Sequence, residues 1–302
     1  MTNLNSACNS ADFLNQKQLP TSGIESEFTA PSQATNLKVL PLSSFIEKLA
    51  AQGTNPALTW YGTTPSQQPE RIELSGKVCL NHLAKISNYL HFEFSTAGNP
   101  LKTDAPVAKA KILFDLPPSW KSILWLIASL GTDVEPCFPD PDAEAEALFS
   151  EFNLSWGDAI LTNRPERWQE ICDENGTTLL ALNLASLALS WGSSLSPEII
   201  DAAAEVLSQP DTFMFDFGTT TKIFASPATV ETAAGDEKLQ LHSKSAQGIY
   251  APSQSAYLVS GLESTVISFV TTAENNCLPA ILISAERKPD LKQIISQENR
   301  SS

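Results

Sequence analysis

The chain has 302 residues, of which 42% are hydrophobic and 18% charged, and its 19 Lys and Arg against 34 Asp and Glu give a net charge of −15 at pH 7. That length can bury a large core, as one α/β domain or as two lobes. The negative balance repels phosphate backbones and anionic lipid heads, which argues against nucleic acid and membrane surfaces as partners.

Five cysteines stand at positions 8, 79, 137, 172 and 277. No two are close in sequence, so neither a disulfide framework nor a zinc spacing is visible, and a reducing cytoplasm is the expected compartment. The opening MTNLNSACNSADF has no basic leader and no apolar run, unlike a signal peptide. The longest apolar run, residues 123–128, is far short of the roughly 20 residues a membrane span requires. The expectation is a soluble protein.

Residues 1–38 are rich in Asn, Ser, Thr, Gln and Pro and read as a disordered polar tail, leaving 39–302 as the folded unit with a sub-boundary near 210–220. Ser43 or Ser44 caps a short helix carrying Phe45, Ile46, Leu49 and Ala50 that ends near Gly53. ALTWY at 57–61 and RIEL at 71–74 read as two hairpin strands. Ser75 then caps a helix with Val78, Cys79, His82, Leu83, Ile86, Tyr89 and Leu90 on one face, followed by a polar loop over 95–110.

Residues 111–139, KILFDLPPSWKSILWLIASLGTDVEPCFP, organise the rest. Ile112, Leu113, Phe114 and Leu116 form a buried strand stopped by Pro117 and Pro118. From Ser119 to Leu130 the apolar stripe is so wide that the helix must be buried, and Gly131 follows its last turn. A short strand over 134–138 completes one parallel strand-helix-strand unit.

A second unit follows, with a strand at 158–161, a short helix over 165–172 begun by proline, a turn at Asn175 and Gly176, and a strand over 178–184. Ser196, Pro197 and Glu198 open a helix containing Ile199, Ile200, Ala203, Val206 and Leu207. Residues 253–272 have a mostly helical pattern, AILI at 280–283 is a strand, and 289–297 begins a final helix. This alternation predicts an α/β fold: a doubly wound, mostly parallel sheet with helices on both faces.

Common catalytic signatures are missing by inspection: no Gly-x-Ser-x-Gly, Gly-x-Gly-x-x-Gly, His-Glu-x-x-His or Gly-Lys-Ser phosphate loop. The histidines are His82, His91 and His242, and His82 reads as a core or boundary residue with one hydrogen bond. Asp133, Glu135, Asp140, Asp142, Glu144 and Glu146 lack the spacing of a calcium hand and read as a solvated acidic loop, so neither a metal site nor a catalytic residue is assigned. Phe217-Gly218-Thr219-Thr220-Thr221-Lys222 has the composition of an anion-binding loop, and a polar turn between strands accounts for it equally well.

In order, PALTWYG (56–62), ERIELSG (70–76), VCLNHLAKISNYL (78–90) and ILFDLPPSW (112–120) resemble the amino-terminal half of adenylate-forming enzymes, the AMP-binding, acyl-CoA synthetase superfamily. LTWY, ERIELSG, DLPPSW, DAILTNRPE (158–166), LALNLASLALSWGSSLSPEIIDAAAEV and QPDTF (209–213) are more similar still to a small uncharacterised actinobacterial family related to those enzymes. The similarity is good over 41–215 and loose over 216–302.

The resemblance implies ATP or AMP as the ligand of Gly218, Thr219, Thr220 and Lys222, the counterparts of the superfamily's Ser-Gly-Thr-Thr-Gly-x-Pro-Lys-Gly loop. Thr221 stands where that loop has glycine, the x-Pro pair is gone and no glycine follows the lysine. The sequence also stops about where the first half of such an enzyme ends. The resemblance then implies that the adenine-binding segment, the ribose-binding aspartate and the mobile lobe with its catalytic lysine are missing, leaving acyl adenylation without most of its transition-state contacts. The expectation is a catalytically incomplete relative that keeps weak nucleotide or acyl-ligand binding. The alternatives are an interaction module, which docks a protein partner or a second copy as a homodimer, and one half of a split acyl-activating enzyme.

Overall fold

A computed structural model describes residues 42–64, 68–94, 109–217, 247–251, 254–259, 261–274, 276, 278–284, 294 and 297–298. The expected tail at 1–38, most of the loop at 95–110, residues 218–222 and most of the final helix at 289–297 lie outside the described residues.

Helix α1, Leu42–Gln52, buries Leu42, Phe45 and Leu49. It begins ahead of both expected caps, Ser43 and Ser44, because Leu42 itself packs into the core and that burial holds the first turn. Gly53 closes it at a φ of +54°. Strands β1 (Pro56–Thr63) and β2 (Pro69–Ser75) pair antiparallel, with Trp60 opposite Ile72. Helix α2, Gly76–Phe94, opens with the Val78 amide donating to Ser75 Oγ at 3.3 Å.

Strand β3 (Ala110–Asp115), helix α3 (Trp120–Gly131) and strand β4 (Val134–Cys137) form the expected parallel unit. Every residue of α3 is buried. A capping box starts it: the Ser122 amide donates to Ser119 Oγ at 3.1 Å and the Ser119 amide to Ser122 Oγ at 2.7 Å. Helix α4 (Ala145–Glu151), strand β5 (Ala159–Thr162), helix α5 (Gln169–Asn175) and strand β6 (Thr178–Ala181) follow. The helix read over 165–172 is a 3-10 turn at Pro165–Arg167 and then α5, which Gly176 ends in the left-handed region.

Two expected helical stretches are corrected. Ile199–Asp201 is a strand, β7, parallel to β6, and helix α6 begins only at Ala202, running to Leu207. Two β-branched residues suit the parallel edge, and Asp201 caps α6 by accepting from the Ala203 and Ala204 amides. After β8 (Gln247–Ala251), Gln254–Val259 is likewise a strand, β9, and only Leu262–Glu274 is helical, as α7. A short apolar run does not by its periodicity separate a buried strand from a helical segment. Strand β10, Ala280–Ser284, is where AILI predicts it.

The strands divide between two five-stranded sheets. One, ordered β4-β3-β5-β6-β7, is wholly parallel. The other, β2-β1-β10-β9-β8, has parallel pairing on both sides of β10 and antiparallel flanks. The architecture is therefore α/β with mostly parallel sheets. The alternating pleat sorts neighbours to opposite faces: Ile112 and Phe114 join the central core, Leu113 and Ile160 the outer one beneath α4 and α5. The central core combines α1, α2, α3 and α7 with Leu58, Trp60 and Leu282 of one sheet and Phe114, Leu161 and Leu180 of the other. Helix α3 is buried all round because it lies in the core that joins the two sheets.

Candidate functional site

Helix α2 does more than pack. On its polar side Lys85, Asn88 and His91, at intervals of three residues, fasten the segment after α6. Lys85 Nζ donates to the carbonyls of Leu207, at 3.2 Å, and Gln209. Asn88 Nδ2 donates to the Pro210 and Thr212 carbonyls at 3.1 and 2.8 Å, while its Oδ1 accepts from the Met214 amide at 2.9 Å. His91 stacks on Phe215 with centroids 4.2 Å apart. Phe217 then lies against Gly131 so closely that a Cβ there would overlap its ring. The chain is thus delivered to residue 218 from a fixed point at the carboxy-terminal end of α3. Gly218, Thr219, Thr220, Thr221 and Lys222 themselves lie outside the described residues, as does His242.

At the other end of α3 is a half-open cavity of about 380 Å³, within the range of small-molecule pockets. Edge strand β2 supplies one wall through consecutive residues Arg71, Ile72, Glu73 and Leu74. Ser186, Leu187, Ala188 and Leu189, after β6, supply the opposite wall. The floor comes from α2 and α3, including His82, Ile86, Trp120, Leu124 and Trp125. Leu187 is 88% exposed and Leu189 65%, so the rim is apolar as well.

Beside Arg71, Glu73 and Ser186 of the walls, three side chains of α2 and α3 bring polar atoms to this cavity. Trp120 is buried, its Nε1 has no hydrogen-bond partner among the described residues, and the His82 ring stands edge-on to it at 5.2 Å. Burial, then the charges of Lys121 and Lys85, push the His82 pKa below its ordinary value, so the imidazole is neutral at pH 7. The expected hydrogen bond of His82 is corrected: among the described residues it has none, and the ring contact with Trp120 takes its place. Lys121 is buried too, and burial pushes its pKa down to about 8. Its Nζ donates to the carbonyls of Asn183, Ala185 and Ala188 at 2.8, 2.7 and 2.8 Å, which straps the loop to α3.

A third polar cluster occupies the switch point of the parallel sheet, where the strand order reverses between β3 and β5. The buried Asp115 carboxylate accepts from Thr162 Oγ1 and Trp168 Nε1, both at 2.7 Å, and from Arg164 and Arg167 at 2.6 and 3.1 Å. All its capacity is used internally, so it closes the crevice rather than offering a catalytic acid. Among the described residues no three His, Cys, Asp or Glu side chains converge as metal ligands, and no helix is long and apolar enough to cross a membrane.

No protein-family profile matches the sequence, and no curated protein matches it. Among solved structures the chain is similar to acyl-CoA and aryl-CoA synthetases. The acetoacetyl-CoA synthetase from Streptomyces lividans is matched over 80% of this chain and 37% of its own, at 9% identity and a TM-score of 0.46. An acyl-CoA synthetase of Brucella canis is matched over 56% of this chain and 28% of its own, at 16% identity and a TM-score of 0.38. A benzoate CoA ligase from Burkholderia xenovorans is matched over 58% and 29%, at 7% identity and a TM-score of 0.38. The chain spans less than two fifths of the length of each.

The signals missed in the sequence are Lys85, Asn88 and His91, legible as a polar stripe but not as a clamp, and Trp120, legible only as a core residue.

Proposed function

We propose that the chain is an adenylate-forming-enzyme-like module that binds nucleotide weakly through Gly218, Thr219, Thr220 and Lys222 and does not activate acids unaided. The observation that carries this reading is the anchorage of residues 207–217 by α2 and Gly131, because a phosphate loop must be launched from a rigid point. The ordered motifs shared with adenylate-forming enzymes support it. Loss of activity follows from the loop's own residues: Thr221 adopts left-handed backbone less freely than glycine, so fewer amides can turn toward a phosphate. Buried thiols at Cys79, Cys137 and Cys172 support a cytoplasmic setting.

The test is thermal unfolding with ATP or AMP. Nucleotide at a hundred times its dissociation constant adds about 2.7 kcal/mol, and Lys222→Ala is expected to abolish that gain. Pyrophosphate exchange by the chain alone, over a broad set of carboxylic acids, would overturn the proposed inactivity. Exchange only on adding a second polypeptide would favour the split-enzyme reading. The apolar rim at Leu187 and Leu189 favours a second reading, an interaction module docking a partner or a second copy. Silence toward nucleotide together with a dimer in sedimentation would support it.

A further inference from the structure

We propose that the cavity at the amino-terminal end of α3 binds a neutral, largely apolar small molecule through one carbonyl-type oxygen that accepts from Trp120 Nε1. The cavity lies at the end of α3 opposite Phe217. Trp120 is the first residue of α3 and Gly131, which carries Phe217, is the last. At about 1.5 Å per residue the two ends lie about 16 Å apart.

The apolar character of the ligand follows from Ile86, Leu124, Trp125, Leu182 and Val206, which line the cavity, and from the leucines at its mouth. The acceptor follows from Trp120, whose buried Nε1 finds no partner among the described residues. An unmet buried donor is a standing cost that a ligand oxygen removes. His82, neutral at pH 7 and in ring contact with Trp120, can add a second hydrogen bond without adding charge.

Neutrality follows from the cations of the lining. Arg71 is paired with Glu298 at 2.9 Å and with Glu73 at 2.8 Å. Lys121 places its ammonium protons on three carbonyls. Arg71 already has two carboxylates and Lys121 has no ammonium proton left to donate, so a carboxylate would enter an apolar cavity without a hydrogen-bonded ion pair of its own. An ester, amide or ketone carries the same acceptor without that cost.

Three probes of one skeleton test this at pH 7.5: methyl 4-phenylbutanoate, 4-phenylbutanoate and butylbenzene, titrated into the full chain with indole nitrogens labelled for NMR. The ester is expected to move the Trp120 indole proton downfield and to bind roughly tenfold tighter than the acid. Trp120→Phe is expected to weaken the ester several-fold and leave butylbenzene unchanged, and Leu189→Asp, at the exposed rim, to weaken both. The proposal falls if the acid binds as tightly as the ester, if the ester leaves the Trp120 resonance in place at its solubility limit, or if Trp120→Phe weakens ester and hydrocarbon alike. ATP that displaces the ester would show that the cavity takes the nucleotide instead and would overturn the proposal. Silence toward ATP would bear only on the nucleotide reading.

Discussion

Asp115 shows how much one buried charge can organise. It ends β3, and its carboxylate gathers two arginines, a threonine hydroxyl and an indole from β5 and the turn after it. Replacing it with asparagine leaves Arg167 and Trp168 short of an acceptor in a buried place, which costs about 3 kcal/mol. Arg164→Ala should cost under about 1 kcal/mol, because that side chain is 45% exposed and its pair is weakened by solvent. Urea unfolding of both variants checks the order, and equal losses would contradict it.

His82 gives a pH dependence with a defined sign. Its folded pKa lies below 6.5, so as pH falls through 6.5 the unfolded chain takes up a proton that the folded chain refuses. The stability it contributes is complete above 6.5 and lost on acidification. The gap in urea midpoint between the natural chain and His82→Gln should therefore shift against the natural chain from pH 7.5 to 5.5. A gap that stays constant would show that His82 titrates normally. The sequence places His82 on an apolar stripe, and its lowered pKa comes first from burial and then from Lys121, on another helix, and Lys85.

At the scale of elements, the start and the burial of α3 were legible from Ser119 and the wide apolar stripe, but its end was not: Gly131, read as following the last turn, is the last helical residue with no left-handed φ, and Thr132 is the C-cap. What Gly131 is for was not legible, because its contact, Phe217, is 86 positions away along the chain. Alanine usually suits a helix better than glycine by about 1 kcal/mol. Here the added methyl must expel a buried phenyl ring, at a cost of about 2 kcal/mol. Gly131→Ala should destabilise the chain and expose residues 213–217 to protease. In a Phe217→Ala background the same change should become neutral or stabilising, a sign reversal that a double-mutant cycle measures directly. Strands β7 and β9 were misread as helix for a related reason: two or three apolar residues fit either period, and only the neighbouring strand, β6 or β10, decides between them.

At the scale of the molecule, the central core runs without interruption from one sheet through the helical layer into the other. That continuity predicts one cooperative transition, with far-UV circular dichroism and tryptophan fluorescence coinciding. Leu126→Ala, at a fully buried site in the shared layer, should cost about 2–5 kcal/mol and move both probes together. Separated transitions would show that the two sheets unfold independently.

The α/β class, the strand-helix-strand units and the buried α3 follow from the sequence alone, because pattern and capping act between residues near one another along the chain. The division of strands between two sheets, the clamp of α2 on residues 207–217 and the cavity between β2 and the loop after β6 were decided only by tertiary structure. Each depends on contacts between residues tens to hundreds of positions apart, for which no local period or motif carries a signal.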